Sequence, residues 1–117
     1  MKYLCIMYKD PSIWRNMSKE EAGKYRQEFF DLSDALKQEG KYVFAAGLQS
    51  ADQAKTVQVH AGKMSATDGP FAETHEQFGG FYLVEAASMD EALQLAARIP
   101  AARHGTIEVR QAFPFES

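Results

Sequence analysis

The order of hydrophobic periodicities predicts an α+β protein. Two helices lie against a mainly antiparallel sheet, and a hairpin is added to it. Three observations carry this expectation. Ser18–Glu21 and Ser88–Glu91 each set a serine three residues ahead of a glutamate, the reciprocal arrangement that satisfies the free N–H groups at a helix start. Tyr3 to Tyr8 and Gly80 to Ala86 are apolar at consecutive positions, as strands covered on both faces are. Ala61-Gly62 separates two segments of strand-like sequence, which reads as a hairpin turn.

Taken in order, Tyr3 to Tyr8 (YLCIMY) is the first strand, ended by Asp10-Pro11. Pro11 to Met17 reads as a loop. Its Trp14 either packs over the edge of the core or serves as a lid or an anchor in a subunit contact. A helix follows from Ser18 to about Glu39. Its stripe, Ala22, Tyr25, Phe29, Leu32 and Leu36, recurs at alternating spacings of three and four, and Gly40 stops it. Tyr42 to Leu48 is a second strand, and Lys55 to His60 with Lys63 to Thr67 form the hairpin. Gly80 to Ala86 is a third strand. The second helix runs to about Ile99, with Met89, Leu93, Ala96 and Ile99 expected inward, and Pro100 ends it. Ala101 to Gly105 is a loop, and Thr106 to Phe113 the last strand. The sequence β-α-β-(hairpin)-β-α-β is that of a ferredoxin-like two-layer sandwich. Two helices cover only one face of such a sheet, yet two strands are apolar on both. A second copy of the chain is therefore expected on the other face, giving a homodimer.

Composition narrows the function classes. At 117 residues and 45% apolar, the chain reads as one soluble domain spanning 1–117. A net charge of −3 offers no basic field for nucleic acid or anionic lipid. The single cysteine, Cys5, excludes an internal disulfide and suits a reducing compartment. With no signal-like or membrane-length apolar stretch, a cytoplasmic location is expected.

The densest set of turn formers and carboxylates is Thr67 to Gly80 (TDGPFAETHEQFGG). A ligand cleft is expected between its Asp68–Glu76 portion and the Arg103–His104 loop, with Trp14 as cover. His104 titrates near working pH and is the candidate proton carrier, with Glu73 or Asp68 to orient it; otherwise it shapes the turn at Gly105. Arg103 offers a fork of donors to a carboxylate or enolate, or else a salt bridge to the loop carboxylates. Tyr82 is placed to orient a polar ligand, and Gly79 and Gly80 would let backbone approach it. Asp68 equally caps its own turn. Glu73, His75, Glu76 and His104 lack the closely spaced histidine pair of a strong metal site, so no metal is expected. No phosphate loop, nucleophile elbow or Cys-x-x-Cys motif is present, and no organic cofactor is expected.

DGPFAE at Asp68 to Glu73, GGFYLVEA at Gly79 to Ala86 and ARIPAARHGTIEVR at Ala97 to Arg110 resemble the DGPF family of YCII-related proteins. The resemblance spans nearly the whole chain. It implies a bacterial protein, a dimeric α/β barrel built sheet to sheet, and an association with alternative sigma factors. Wider YCII relatives carry a His-Asp dyad. Aligned on Gly40 and Pro100, this chain has Phe29 and Ile99 at those places, so that acid-base chemistry does not transfer. Two function classes follow. One is a non-catalytic ligand-binding or regulatory module linked to sigma-factor signalling. The other is a cofactor-independent enzyme of isomerase, lyase or dehalogenase type that uses His104 with Glu73 or Asp68.

Overall fold

A computed structural model describes residues 1–114. Its elements are β1 (Lys2–Lys9), α1 (Pro11–Arg15), α2 (Lys19–Gln38), β2 (Tyr42–Gly47), β3 (Lys55–His60), β4 (Lys63–Asp68), β5 (Gln77–Glu85), α3 (Met89–Ala97) and β6 (Gly105–Gln111). The main sheet has the order β2-β5-β1-β6 with every neighbour antiparallel. Setting the hairpin aside, this is the ferredoxin-like arrangement the periodicities predict.

Both helix starts form where the serine caps lie. At α2 the Ser18 hydroxyl accepts from the Glu21 N–H while the Glu21 carboxylate accepts from the Ser18 N–H. At α3 the Ser88 hydroxyl accepts from the Glu91 N–H. Glu91 instead turns its carboxylate to Lys41 at 2.8 Å, tying the start of β2 to α3. The core lies between helices and sheet. Tyr3, Cys5, Met7, Tyr82 and Val84 meet Leu32 and Leu36 of α2, and Ala92, Leu95 and Ala96 of α3 with Ile99 beyond it. Burial among these groups pushes the Cys5 thiol up to about 11, so it is an inert packing residue at neutral pH.

Four expectations are corrected. Pro11 to Met17 is not all loop. Asp10 accepts from the Ser12 N–H and Pro11 sits in the first turn, so Pro11–Arg15 coils into a short third helix. The third strand begins at Gln77, three residues early, because a β-bulge at Gly79, opposite the Met7–Tyr8 step of its partner, lets pairing run on through the glycine pair. The inward stripe of α3 is Ala92, Leu95, Ala96 and Ile99, while Met89 and Leu93 face outward. Alanine at two of those positions lets the short helix lie close to the sheet, which the larger Met89 and Leu93 would prevent. Pro100–Arg103 forms a 3-10 turn rather than open loop.

The hairpin does not join the main sheet. β3 and β4 pair only with each other, and the turn sets Ala61 and Gly62 both at positive φ (51° and 77°), as a two-residue hairpin connection requires. No helix is long and apolar enough to cross a membrane among the described residues.

The β1–β6 seam ends at a tight spot. A Cβ on Gly105 would lie 2.1 Å from the Tyr8 carbonyl oxygen. Gly105→Ala is therefore expected to destabilise the fold more than Ser18→Ala, whose lost cap costs about 0.5–2 kcal/mol. Parallel urea titrations of the two variants check the order.

Candidate functional site

An open cleft of about 960 Å³ lies between α2, from Tyr25 to Lys37, and the end of the sheet where β1 finishes. Strand parity builds its floor. Tyr3, Cys5 and Met7 face the helices, and the same alternation carries Lys9 to that face one residue past the apolar run. The bulge in β5 then matters. A Cβ on Gly79 would sit 2.6 Å from Lys9 Cε, so the missing side chain is the space the lysine stem occupies. Lys9 Nζ rests 5.7 Å from the centroid of the Phe29 ring. Burial lowers its pKa from the ordinary lysine value. No carboxylate pairs with it among the described residues.

The wall is aromatic. Tyr25 and Phe29 meet edge to face at 5.1 Å, and Phe29 stacks on Tyr82 at 6.5 Å. The Tyr82 hydroxyl donates to the Phe29 carbonyl at 3.1 Å, so the 3.0 Å contact with Ser33 is one in which Ser33 donates. Sheet and α2 are thus joined at the back of the cleft. Burial raises the pKa of both Tyr25 and Tyr82, which keeps them neutral donors.

At the rim the cations lie on rings. The Arg26 guanidinium is 5.8 Å from the Trp14 ring, and Lys37 Nζ is 4.9 Å from the Tyr42 ring. Lys9, Arg15, Arg26 and Lys37 line the cleft against two carboxylates, Asp10 and Asp52. Asp10 is engaged already, by the Ser12 N–H at 2.9 Å and by His75 at 3.0 Å. The cleft is a positive region in a chain of net charge −3.

The expected site residues divide. His104, Trp14, Tyr82 and Gly79 line this cleft, and the His104 ring meets Tyr25 edge-on at 5.5 Å. Asp68 and Glu73 do not line it. Asp68 pairs with Lys55 across the hairpin at 2.5 Å, and Glu73 is exposed without an ion pair among the described residues. Of the three expected catalytic residues, His104 alone belongs to the cleft, and no carboxylate pairs with it among the described residues. Arg103 binds Glu28 of α2 at 2.6 Å, not a carboxylate of the Asp68 loop. Gly80 is packed tight for an internal reason, since a Cβ there would lie 2.6 Å from the Ala46 carbonyl oxygen of β2. Glu76 accepts from the Thr106 hydroxyl at 2.8 Å, which fastens the loop to the start of β6. The loop's Pro70 and Phe71 line an adjoining hollow of about 570 Å³ with Tyr8, Leu48 and Phe78, the last two shared with the cleft. No cluster of three metal-ligating side chains is found among the described residues.

Lys9, Tyr25, Phe29, Ser33 and Arg26 are absent from the sequence-based site. Lys9 was legible in principle, because extending the Tyr3/Cys5/Met7 alternation by one step puts a charge on the buried face. Phe29 lines the cleft, while Ile99 is only 2% exposed in the core.

Fold and cleft together define a ferredoxin-like α+β protein with an aromatic, cationic cleft between helix and sheet. The chain belongs to the family of the YCII-related domain, which matches residues 1–116. An uncharacterized protein of Rhizobium meliloti (strain 1021) is 38% identical over 112 residues, covering 94% of this chain and 90% of that one. Among solved structures, 5-chloro-2-hydroxyhydroquinone dehydrochlorinase (TftG) of Burkholderia phenoliruptrix, in complex with 2,5-dihydroxybenzoquinone, superposes with a TM-score of 0.55. It covers 97% of this chain and 94% of its own at 16% identity, a likeness of fold.

Tyr82→Phe deletes the hydroxyl that joins β5 to α2 and leaves the Phe29 carbonyl without that donor. It is expected to lower the unfolding free energy by about 0.5–1.5 kcal/mol, read by chemical denaturation.

Proposed function

We propose that the protein binds a small cyclic organic molecule in the cleft beneath α2, without an organic cofactor. The observation that carries this reading is the cleft itself. Its 960 Å³ suits a small ligand, its walls are aromatic, and its polar groups converge from α2, β1 and β5. The neighbouring fold that holds 2,5-dihydroxybenzoquinone supports a ring-shaped occupant. The same neighbour's dehydrochlorinase activity favours a second reading, a cofactor-free enzyme. In that reading His104 carries the proton, working with water or a substrate oxygen, since neither Asp68 nor Glu73 lines the cleft. The binding role ranks first because Phe29 and Ile99 occupy the dyad positions. The Asp68-Gly69-Pro70-Phe71 turn supports a finer placement in the DGPF group. Sigma-factor signalling draws no support from the fold or from the relatives' names, so the reading rests on the small molecule.

Thermal unfolding against a panel of phenols and hydroxyquinones tests the reading. A ligand at a hundred times its Kd is expected to stabilise the protein by about 2.7 kcal/mol, and a panel that shifts nothing would sink it. Chloride release from a chlorinated hydroxyhydroquinone, lost in His104→Ala with the melting temperature kept, would move the protein to the enzyme class.

The proposal includes a second copy of the chain on the helix-free face. Leu4, Leu83 and Phe44 form one cross-strand row there, and Ile6, Phe81 and Ala46 the next. Phe44 is 54% exposed in the isolated chain. A stable dimer would bury more than about 1,000 Å² in total. Sedimentation is expected to show a dimer at micromolar concentration that Leu83→Asp converts to monomer. A monomeric wild type would refute the pairing.

A further inference from the structure

The cleft contains a cation whose position packing alone does not explain. Lys9 stands at the end of the central strand, half-buried, on the face that otherwise carries Tyr3, Cys5 and Met7. A purely structural residue there would be apolar, because an ammonium withdrawn from water without a counter-ion costs stability. Gly79 supplies the room for its stem and Phe29 a ring face for its charge. Neither supplies an anion. The nearest carboxylate in sequence, Asp10, is held by Ser12 and His75. The hydroxyls of Tyr82 and Ser33 and the ring of Tyr25, all neutral, line the same cleft. Arg26 and Lys37 at the rim add to the same field, in a molecule whose overall charge has the opposite sign. A positive recess in an acidic chain concentrates anions at that place.

We propose that Lys9 is the anion-binding residue of the cleft, and that the ligand is a planar ring carrying an ionised oxygen, of the phenolate, enolate or ring-carboxylate class. The ring lies among Tyr25, Phe29 and Trp14, whose faces accept stacked or edge-on partners. The oxygen meets Lys9 Nζ, forming the charge-assisted hydrogen bond the lysine lacks within the chain. Burial lowers the pKa of Lys9, and a bound anion opposes that shift, so ligand and proton favour one another there. This assignment rests on the reading of the cleft as a small-molecule site.

The test uses two probes of one shape, 4-nitrophenol, which ionises near neutral pH, and its methyl ether 4-nitroanisole, which cannot. Each is titrated into the full-length protein at mildly alkaline pH by calorimetry, with amide NMR shifts to locate binding. The phenolate is expected to bind at least about tenfold tighter than the ether, with shifts at residues 25–33 and 79. Lys9→Met should remove that preference, bringing the phenolate's affinity down to about the ether's. Lys9→Gln, which keeps a polar end, should do the same and serves if the methionine variant folds poorly. Equal affinity of wild type for both probes, or a preference that survives both substitutions, overturns the Lys9 assignment while the cleft reading stands. Binding of neither probe at millimolar concentration, or shifts confined to another surface, overturns both.

Discussion

β1 is hydrogen-bonded along both edges and apolar on both faces, and the other elements take their places from it. β5 on one side and β6 on the other satisfy its backbone. Its odd-numbered side chains make the floor of the core beneath α2 and α3, and its even-numbered ones, Leu4, Ile6 and Tyr8, face the opposite way. A strand of this kind cannot sit at an edge, and a one-residue slip would exchange the two faces entirely. The same parity delivers Lys9 into the cleft. One constraint therefore sets the core, the helix-free face and the charge of the candidate site together.

The cleft is assembled from parts with other duties. The Tyr82 hydroxyl binds the backbone of α2 at Phe29 and receives Ser33, so the wall that faces a ligand is fixed by bonds that also hold the two layers together. Each of three cations rests on a ring, Lys9 on Phe29, Arg26 on Trp14 and Lys37 on Tyr42. A ring face stabilises a cation more weakly than a carboxylate does, and leaves its charge available. The Arg103–Glu28 pair is different. Both groups are substantially exposed, so it contributes little to stability, and it fastens the 3-10 turn before His104 to α2.

In this member of the YCII-related domain family, rings wall the α2 side of the cleft. Phe29 stands between Tyr25 and Tyr82, and Ile99 is closed off in the core. Neither side chain can carry a proton, and the Phe29 ring extends the apolar wall. The polar groups that line the cleft beside that wall include Lys9, Ser33, Tyr82 and His104, which arrive from four separate segments.

The sequence by itself determined the elements whose signals are local. Ser18 and Ser88 cap the main helices because capping needs only residues three apart, and Ala61-Gly62 turns the hairpin because its backbone angles are set within two residues. It also determined the parity of β1, and with it the two apolar faces. Only the tertiary structure decided where the Asp68 loop and the hairpin go. Asp68 found Lys55 thirteen residues away, and the hairpin left the main sheet. The phase of α3 was likewise settled by which residues let the helix approach the sheet, Ala92 and Ala96 rather than Met89 and Leu93. Lys9 shows the limit most clearly. Its identity and its face are written in the strand, but its room comes from Gly79, seventy residues on, and its ring from Phe29 on another layer. Such environments are made by groups distant in the chain, whose proximity exists only once the layers have packed.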